Sequence, residues 1–240
     1  MRVLQFSGGK DSLATLLLLK DQLHEITVLW ADSGDSFLET YAQMEKVKAF
    51  CPNFEVVKGD QPKVIADRGY PSDVLPVRNH KVIQGLISIE RVKLQGFLEC
   101  CLSSFLMPME RRSKDLGATE IIRGVKKCDV IKGPTRDGDV IDGVLYRNPI
   151  WDWTEDQVMD FIKDSELRSP HYDLAHTSMD CMHCTAYLND NHWKLPYLDK
   201  HYPDVGAEVR RRLKLIKLEV DNDMQHLNRI LDHYCSVNVV

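Results

Sequence analysis

The N-terminal segment constrains the fold more than any other part of the chain. A short apolar run, Val3-Leu4-Gln5-Phe6, leads into two glycines, a lysine, an aspartate and a serine, and a further apolar run covers residues 13–19. This order predicts a buried strand, a tight turn and a helix. Glycines let backbone N–H groups approach a phosphate closely, and a helix N-terminus attracts the same anion. The predicted phosphate-binding residues are Ser7, Gly8, Gly9, Lys10, Asp11 and Ser12, and an ordinary glycine-rich turn is the alternative.

Strands and helices alternate in the next part of the chain. Residues 26–32 form a continuous apolar run typical of a buried strand, residues 37–50 predict a helix, and residues 53–57 predict a third strand. This alternation predicts an α/β fold with a doubly wound, mainly parallel sheet. Ligands bind beyond the carboxyl ends of strands in such sheets. We therefore expect Asp32 and Gly34, which follow the second strand, to face the same ligand as the N-terminal turn.

Four of the seven cysteines form two close pairs. Cys100 and Cys101 are adjacent, and Cys181-x-x-Cys184 lies far downstream. A Cys-x-x-Cys motif alone is compatible with a zinc half-site, a redox pair or part of an iron–sulfur site. Adjacent cysteines are unusual in structural zinc sites, whereas four thiolates from two segments can hold a [4Fe–4S] cluster. A zinc ion and a site without metal stay as alternatives.

These motifs resemble those of known enzymes. The loop Ser7-Gly8-Gly9-Lys10-Asp11-Ser12 lacks the Walker A spacing and resembles the phosphate loop of the adenine nucleotide alpha-hydrolase superfamily. The two cysteine pairs resemble the cluster pattern of adenylyl-sulfate reductases, which belong to the phosphoadenylyl-sulfate (PAPS) reductase family of that superfamily. Further segments are similar to motifs of the family in the same order: Asp32-Ser33-Gly34 with Glu39-Thr40, Gly124-Val125-Lys126-Lys127, residues 148–158 and residues 178–185.

The resemblance implies an enzyme with a defined set of functional residues. Cleavage of ATP between its α and β phosphates, with pyrophosphate held in the loop, is the typical reaction of the superfamily. The implied catalytic residues are Lys10, Asp11, Asp32, Lys126 and Lys127. The implied nucleotide-binding residues are those of the loop together with Asp32, Gly34, Arg123 and Gly124. The implied ligands of a [4Fe–4S] cluster are Cys100, Cys101, Cys181 and Cys184. The other expected cofactor is ATP, or a sulfonucleotide, with Mg²⁺.

The resemblance and the composition together predict the organisation of the chain. We expect a nucleotide-binding domain of PAPS reductase type, with the cluster site, over residues 1–200 and a helical C-terminal extension over residues 201–240. The net charge of −5 argues against a protein that coats nucleic acid through bulk electrostatics. No apolar run is long enough to cross a membrane, and we expect no signal peptide. A cytoplasmic protein without a membrane partner is expected.

The sequence departs from the reductases of the family in two places. Those enzymes carry a nucleophilic cysteine in a C-terminal Glu-Cys-Gly-x-His motif, whereas Cys235, the only cysteine beyond Cys184, lacks those neighbours. Their phosphate loops are often degenerate because their substrate has no β–γ pyrophosphate, whereas the loop is intact here. The intact loop favours ATP itself as the substrate, as in tRNA thiolases and the ATP pyrophosphatase of DNA phosphorothioation systems.

Three hypotheses about function follow. The first is an ATP pyrophosphatase that adenylates an acceptor for sulfur transfer. The second is a thioredoxin-dependent reductase of adenylyl sulfate or PAPS with Cys235 as nucleophile, and the third is a nucleotide-sensing module without catalysis. The expected partners are an adenine nucleotide and a sulfur donor or a thioredoxin-like protein. A nucleic-acid acceptor and a homo-oligomer are left open.

Several other features allow plainer interpretations. Arg78, in a loop-rich connection over residues 58–82, is either a phosphate contact or a solvated surface group. Residues 205–234 predict one long helix or two, whose basic residues form either a solvated face or a surface for a nucleic acid or an acidic partner. Cys51 and Cys128 are predicted to be buried, inert thiols. Thr154 and Gln157 have the spacing of a capping box.

Overall fold

The computed structural model describes residues 1–76, 91–129, 135–174, 177, 179, 181–188 and 191–235, with side chains up to residue 233. The strands of this part are β1 (Arg2–Phe6), β2 (Ile26–Asp32), β3 (Phe54–Lys58), β4 (Tyr70–Ser72), β5 (Leu94–Gly96), β6 (Glu120–Ile122), β7 (Val140–Ile141) and β8 (Val144–Arg147). The α-helices are α1 (Lys10–Leu18), α2 (Leu38–Phe50), α3 (Gln61–Arg68), α4 (Phe97–Cys101), α5 (Met107–Asp115), α6 (Glu155–Ile162), α7 (Lys194–His201) and α8 (Pro203–Cys235). Short 3₁₀ turns cover Lys20–Glu25, Lys127–Asp129 and Pro170–Asp173, and a π-helical turn, Leu102–Leu106, joins α4 to α5.

Six of the strands form one sheet in the order β3-β2-β1-β6-β8-β7. Strand β1 lies in the middle, parallel to both β2 and β6, while β7 runs antiparallel to β8 at the edge. The chain moves outward from β1 to β3 on one side and then returns to β6 on the other side. The strand order therefore reverses between β1 and β6, and the predicted doubly wound, mainly parallel sheet is confirmed.

Helices cover both faces of this sheet, as its apolar strands require. Leu4 and Phe6 of β1 pack on one face with buried residues of α1, α2 and α6. Val3 of β1 and Ile121 of β6 pack on the other face with Met109 of α5. Alternate residues of β1 thus point to opposite faces, and the two cores fix the strand ends from which the site is built.

Contacts divide the chain into two units. The first contains Met1–Gln61 and Leu102–Met182 and includes the six-stranded sheet. The second contains Pro62–Cys101 and His183–Val240, with the parallel pair β4–β5 and with α7 packed on α8. Among the described helices, none combines the length and the apolar character needed to span a bilayer. The domain boundary expected at residue 200 stays a prediction.

Two of the connections differ in detail from the sequence-based expectation. The connection predicted to be rich in loops also contains α3 and β4. Pro62 is tolerated in the first turn of α3 because the N–H group that proline lacks would have no helical partner there. Arg78 lies outside the described residues. The basic C-terminal segment forms the single helix α8 without a break at residues 221–223.

Candidate functional site

The turn between β1 and α1 has the backbone geometry of an anion-binding loop. Gly8 has a φ of 84°, in the left-handed region that side chains disfavour. Gly9 begins α1 with extended backbone and no side-chain cap, so it leaves the first N–H groups of the helix to other partners. The hydroxyl oxygens of Ser7 and Ser12 lie 3.1 Å apart. The loop therefore collects backbone donors and two hydroxyls at the carboxyl end of β1.

Two glycines of the site lie close to neighbouring atoms, Gly8 to the end of a side chain and Gly124 to backbone. A Cβ atom at Gly8 would lie 2.9 Å from Cε of Met44, and a Cβ atom at Gly124 would lie 2.4 Å from the carbonyl carbon of Asp11. The segment after β6 therefore packs directly against the first turn of α1. This close approach brings Lys126 to the loop.

Two lysines and two carboxylates form a closed ring of ion pairs beside the loop. Lys126 contacts Asp11, and its Nζ atom lies 3.5 Å from Glu155. The Nζ atom of Lys10 lies 3.5 Å from Asp11 and 3.1 Å from Glu155. Each carboxylate uses one oxygen for each ammonium group. We refer to Lys10, Asp11, Lys126 and Glu155 as the ion-pair ring.

Lys126 is the most deeply buried member of this ring, with 1% of its surface exposed. Its Nζ atom also lies 3.4 Å from Asp129. Burial alone would lower the pKa of Lys126, but the hydrogen bond to Asp11 and the charges of Asp129 and Glu155 outweigh burial and raise it. Lys126 is therefore a cation at neutral pH. Three carboxylates face two ammonium groups here, which leaves a local charge of minus one when all are ionised.

Glu155 reaches the ring because a capping box fixes the start of α6. The Thr154 hydroxyl accepts a hydrogen bond from the Gln157 N–H at 3.2 Å, and the Gln157 side chain accepts one from the Thr154 N–H at 2.8 Å. The predicted capping box is confirmed. It makes Glu155 the first residue of the helix.

The ion-pair ring lies at the point where the strand order of the sheet reverses. The loop follows β1, the segment with Gly124 and Lys126 follows β6, and the two strands are neighbours. Open α/β sheets bind their ligands at this position, beyond the carboxyl ends of the strands. The fold thus brings together the loop, Gly124 and Lys126, all of which were singled out in the sequence.

Asp32 lies at the carboxyl end of β2, where its carboxylate is fully engaged. It accepts hydrogen bonds from the Gly34 N–H and the Tyr41 hydroxyl, both at 2.9 Å, and from Lys58 at 2.8 Å. Burial alone would raise the pKa of Asp32, but these donors, with Lys58 the strongest, hold it below its usual value. Asp32 is therefore an anion that shapes the turn around Gly34.

Two predicted residues lie apart from the ion-pair ring. The Arg123 side chain turns to the α5 face of the sheet, where it donates to Gln5 at 2.7 Å and to Glu110 at 3.1 Å. Its guanidinium also lies over the Tyr146 ring, 4.9 Å from the ring centre. Lys127 is exposed in the 3₁₀ turn after β6. The fold places both residues near the carboxyl end of β6 but brings neither side chain into the ring.

The four predicted cluster cysteines are divided between the two units. In the first unit, Sγ of Cys181 lies 3.3 Å from the hydroxyl oxygen of Ser33, directly after β2. In the second unit, Cys184 is buried and its carbonyl accepts a hydrogen bond from Lys194 at 3.1 Å. The adjacent pair at positions 100 and 101 lies at the end of α4, the first thiol buried and the second half-buried.

The chemistry of these four donors fits an iron–sulfur cluster. All are thiols, which iron–sulfur clusters require, and all are at least partly shielded from solvent. In the described part of the chain, no group of three or more His, Cys, Asp or Glu side chains is arranged to hold a single metal ion. A cluster spaces its ligands more widely than a single ion does. The cluster itself stays a prediction.

Three residues of the site were missed in the sequence. Glu155 and Asp129 complete the charges around Lys126, and the hydroxyl of Tyr172 accepts a hydrogen bond from the backbone N–H of Lys10 at 2.6 Å. None of them belongs to a motif with its partner, because the contacts join segments far apart in the chain. The family-like segment around Thr154 was the one available signal, and it pointed to the helix rather than to Glu155.

The two isolated cysteines differ from each other. Cys51 is buried in the core beside α2, and burial raises its pKa to about 11, as expected for an inert thiol. The prediction that Cys128 is buried was wrong, because its side chain is exposed. Lys126, the residue before the turn Lys127–Asp129, is the buried one, and it forms an ion pair with Asp129.

The basic residues of α8 are largely paired within their own unit. Arg210 pairs with Asp199, while Arg211 and Arg212 both pair with Glu208, at 2.6 and 2.7 Å. Arg212 also donates to the carbonyl of His183 at 3.3 Å. These contacts support the interpretation as a solvated, ion-paired helix face.

Comparisons with known proteins agree with the fold. A family model, the phosphoadenosine phosphosulfate reductase domain, matches residues 2–187. The crystal structure of a phosphoadenylyl-sulfate (PAPS) reductase from Candida auris, a phosphate complex, has a similar fold, with a TM-score of 0.53 and 18% identity over 76% of this chain and 82% of that chain. No curated protein sequence matches the chain significantly. Because the family model spans well over half of the chain, from β1 to beyond Cys184, the protein belongs to the phosphoadenosine phosphosulfate reductase family.

Proposed function

We propose that the protein is an ATP pyrophosphatase that adenylates an acceptor for sulfur transfer. The observation that carries this proposal is the intact loop, Ser7 to Ser12, which collects backbone donors, two hydroxyls and Lys10 at the carboxyl end of β1. A sulfonucleotide has no β–γ pyrophosphate to occupy such a loop. The tail of ATP has one, and it suits the donors in charge and in hydrogen bonding.

The charges of the ion-pair ring support a nucleotide that arrives with Mg²⁺. Three carboxylates outnumber two ammonium groups beside the loop. A bare triphosphate would add further negative charge to this site, whereas a bound divalent cation offsets it. Mg²⁺ is usually held by one or two carboxylates together with substrate phosphates. We assign this role to Asp11, which lies in the first turn of α1 just after the two loop glycines, whereas Asp32 lies at the end of β2.

The reaction that suits this site is nucleotidyl transfer to an oxygen of the acceptor. The acceptor oxygen attacks the α-phosphorus, the bond from the α-phosphorus to the bridging oxygen breaks, and pyrophosphate leaves with the electron pair. Lys10 and Lys126 stabilise the negative charge that grows on the leaving group, which is a large part of such catalysis. A sulfur nucleophile then displaces AMP from the activated acceptor. Lys127, exposed at the end of β6, is available to the acceptor.

The cysteines are the residues that we assign to the sulfur chemistry of the proposed reaction. Cys181 lies beside Ser33 at the carboxyl end of β2, the strand next to β1. Cys100, Cys101, Cys181 and Cys184 would hold the [4Fe–4S] cluster, which when bound supplies a carrier of sulfur or electrons. Anaerobically purified protein is expected to contain about four iron and four sulfide ions per chain. Substitution Cys181→Ser should lower both, and equal iron content in the two proteins would contradict the assignment.

A second candidate function is reduction of a sulfonucleotide. The family to which the chain belongs favours it, and the similar fold of a PAPS reductase is compatible with it. In this case a cysteine attacks the sulfur of adenylyl sulfate or PAPS, and a thioredoxin-like protein releases sulfite. Cys235 is the candidate nucleophile, at the last residue of α8. Sulfite release that persists in Cys235→Ser would remove that residue from the mechanism.

Product analysis distinguishes the candidates. The protein is incubated with Mg²⁺ and ATP plus candidate acceptors, and separately with adenylyl sulfate or PAPS plus reduced thioredoxin. The first proposal predicts AMP and pyrophosphate in equal amounts, in the first incubation. Sulfite from the second incubation alone would favour the reductase, and nucleotide binding without any product would favour a sensing module.

A further inference from the structure

We propose that Tyr172 is a positioning residue of the phosphate loop, which its hydroxyl holds in a conformation ready for pyrophosphate. The Lys10 N–H donates to this hydroxyl at 2.6 Å, across 162 residues of sequence. Lys10 is the first residue of α1 and one of the loop residues assigned to pyrophosphate. The inference therefore rests on the proposed function and deepens it.

The hydrogen bond supplies a cap that the loop sequence lacks. Gly9 occupies the capping position of α1 but has no side chain, so one of the helix's unpaired N–H groups needs a partner from elsewhere. Tyr172 provides that partner from the 3₁₀ turn Pro170–Asp173. Because Gly9 has no side chain, space for a ligand is left at the start of α1. The Tyr172 hydroxyl takes the place of a capping side chain and fixes the Lys10 N–H.

Tyr172 is itself held rigidly. Only 2% of its surface is exposed, and its ring packs on His171 with 3.8 Å between the ring centres. The two ring nitrogens of His171 are hydrogen-bonded to the Ser169 hydroxyl at 2.9 Å and to the Thr177 carbonyl at 3.0 Å. The tyrosine is thus held by its packing on His171 and not only by its contact with Lys10.

The alternative to a positioning role is that the Tyr172 hydroxyl occupies the phosphate position and is displaced when phosphate binds. Displacement would break the hydrogen bond to Lys10 and the packing on His171, whose two ring nitrogens are both hydrogen-bonded. The structure therefore favours a tyrosine that stays in place. The Gly9 N–H donates to the Ser7 hydroxyl oxygen at 3.2 Å. Pyrophosphate would then use the Gly8 N–H and the ammonium of Lys10.

The test measures the binding of inorganic pyrophosphate with Mg²⁺ by isothermal titration calorimetry. Tyr172→Phe removes only the hydroxyl oxygen and keeps the ring packing. Tyr146→Phe is a matched control, because Tyr146 is also buried and its hydroxyl donates to Glu110 of α5 at 3.1 Å, away from the loop. We expect pyrophosphate to bind roughly five- to tenfold more weakly to Tyr172→Phe. Tyr146→Phe should bind like the wild type.

A second measurement separates positioning from general loss of stability. Hydrogen exchange of the peptide that contains Lys10 should become faster in Tyr172→Phe and not in Tyr146→Phe. Unchanged pyrophosphate affinity in Tyr172→Phe would overturn the inference, and tighter binding would also overturn it, because it would identify the hydroxyl as a competitor of phosphate. Neither result would affect the proposed function, which is contradicted instead if the wild type itself binds no pyrophosphate.

Discussion

Lys126 contacts the carboxylate of Asp11, 115 residues earlier in the chain, and so ties the segment after β6 to the first turn of α1. The contact joins the two strand ends at which the sheet order reverses. It also makes a buried ammonium part of the loop's surroundings before any ligand is bound. The loop is therefore one part of a larger charged site whose members come from three segments of the chain.

Replacing Lys126 should destabilise the protein more than replacing its neighbour. In Lys126→Met the carboxylates of Asp11, Asp129 and Glu155 lose their common cation and repel one another. The free energy of unfolding should fall by about 2–4 kcal/mol, below the full cost of a buried pair because the carboxylates keep some solvent contact. Lys127→Met removes an exposed lysine and should change it by less than about 0.5 kcal/mol. Urea unfolding measures both, and equal values would contradict the assigned role of Lys126.

The close contact of Gly124 with α1 predicts a strong effect of one added methyl group. In Gly124→Ala the new Cβ atom would meet the backbone of Asp11, which cannot give way without moving the first turn of α1. We expect a loss of about 2–4 kcal/mol in stability and weaker nucleotide binding. The control is Gly96→Ala, where the nearest atom lies at 3.8 Å. A Gly124→Ala protein with wild-type stability and affinity would show that this packing is not needed.

Glu155 should control the dependence of binding on Mg²⁺. Glu155→Gln keeps the size of the side chain and changes the local charge from minus one to zero. Pyrophosphate should then bind more tightly than to the wild type when Mg²⁺ is absent, and the gain should shrink at high salt. Glu166→Gln, a change at an exposed position after α6, serves as the control. Calorimetry with and without Mg²⁺ tests this, and weaker binding of Mg²⁺-free pyrophosphate to Glu155→Gln would contradict the charge argument.

His171 should make the protein less stable in mild acid. Burial, followed by the charges of Arg168 and Lys10, lowers its pKa to about 4, although the Thr177 carbonyl and Glu39 act in the opposite direction. Between the ordinary histidine pKa of about 6.5 and pH 4, the unfolded chain binds a proton that the folded chain does not. Stability from this residue is complete above about pH 6.5 and falls by up to about 3 kcal/mol towards pH 4.

Substitution by a residue that does not titrate isolates this effect. His171→Gln should flatten the dependence of the unfolding free energy on pH between 7 and 4, measured by urea unfolding at several pH values. His201→Gln, at an exposed position on α7, should leave the slope as in the wild type. A His171→Gln protein with an unchanged slope would show that His171 is not the residue responsible.

The local features of the fold were predictable because their signals lie close together in the sequence. The strand, turn and helix around Ser7–Ser12 follow from apolar runs on either side of two glycines. The start of α6 follows from Thr154 and Gln157, three residues apart. The parallel sheet follows from the alternation of strands and helices, and the order β3-β2-β1-β6-β8-β7 agrees with it.

The composition of the site was less predictable because it depends on contacts across long stretches of chain. Nothing near Tyr172 in the sequence indicates that its hydroxyl reaches Lys10, and Glu155 resembles any acidic residue at a helix start. Arg123 and Lys126 belong to one short segment, yet their side chains turn to different partners. Gly124, which lies between them, packs against α1, and this tertiary contact is not contained in the motif alone.

The most direct test of the central claim compares the affinities of ATP, AMP and adenylyl sulfate in the presence of Mg²⁺. If the loop holds the pyrophosphate of ATP, ATP should bind at least about tenfold more tightly than AMP and than adenylyl sulfate, and free pyrophosphate should compete with it. Lys10→Ala should remove most of the advantage of ATP. Equal binding of ATP and AMP, or tighter binding of adenylyl sulfate than of ATP, would contradict the claim.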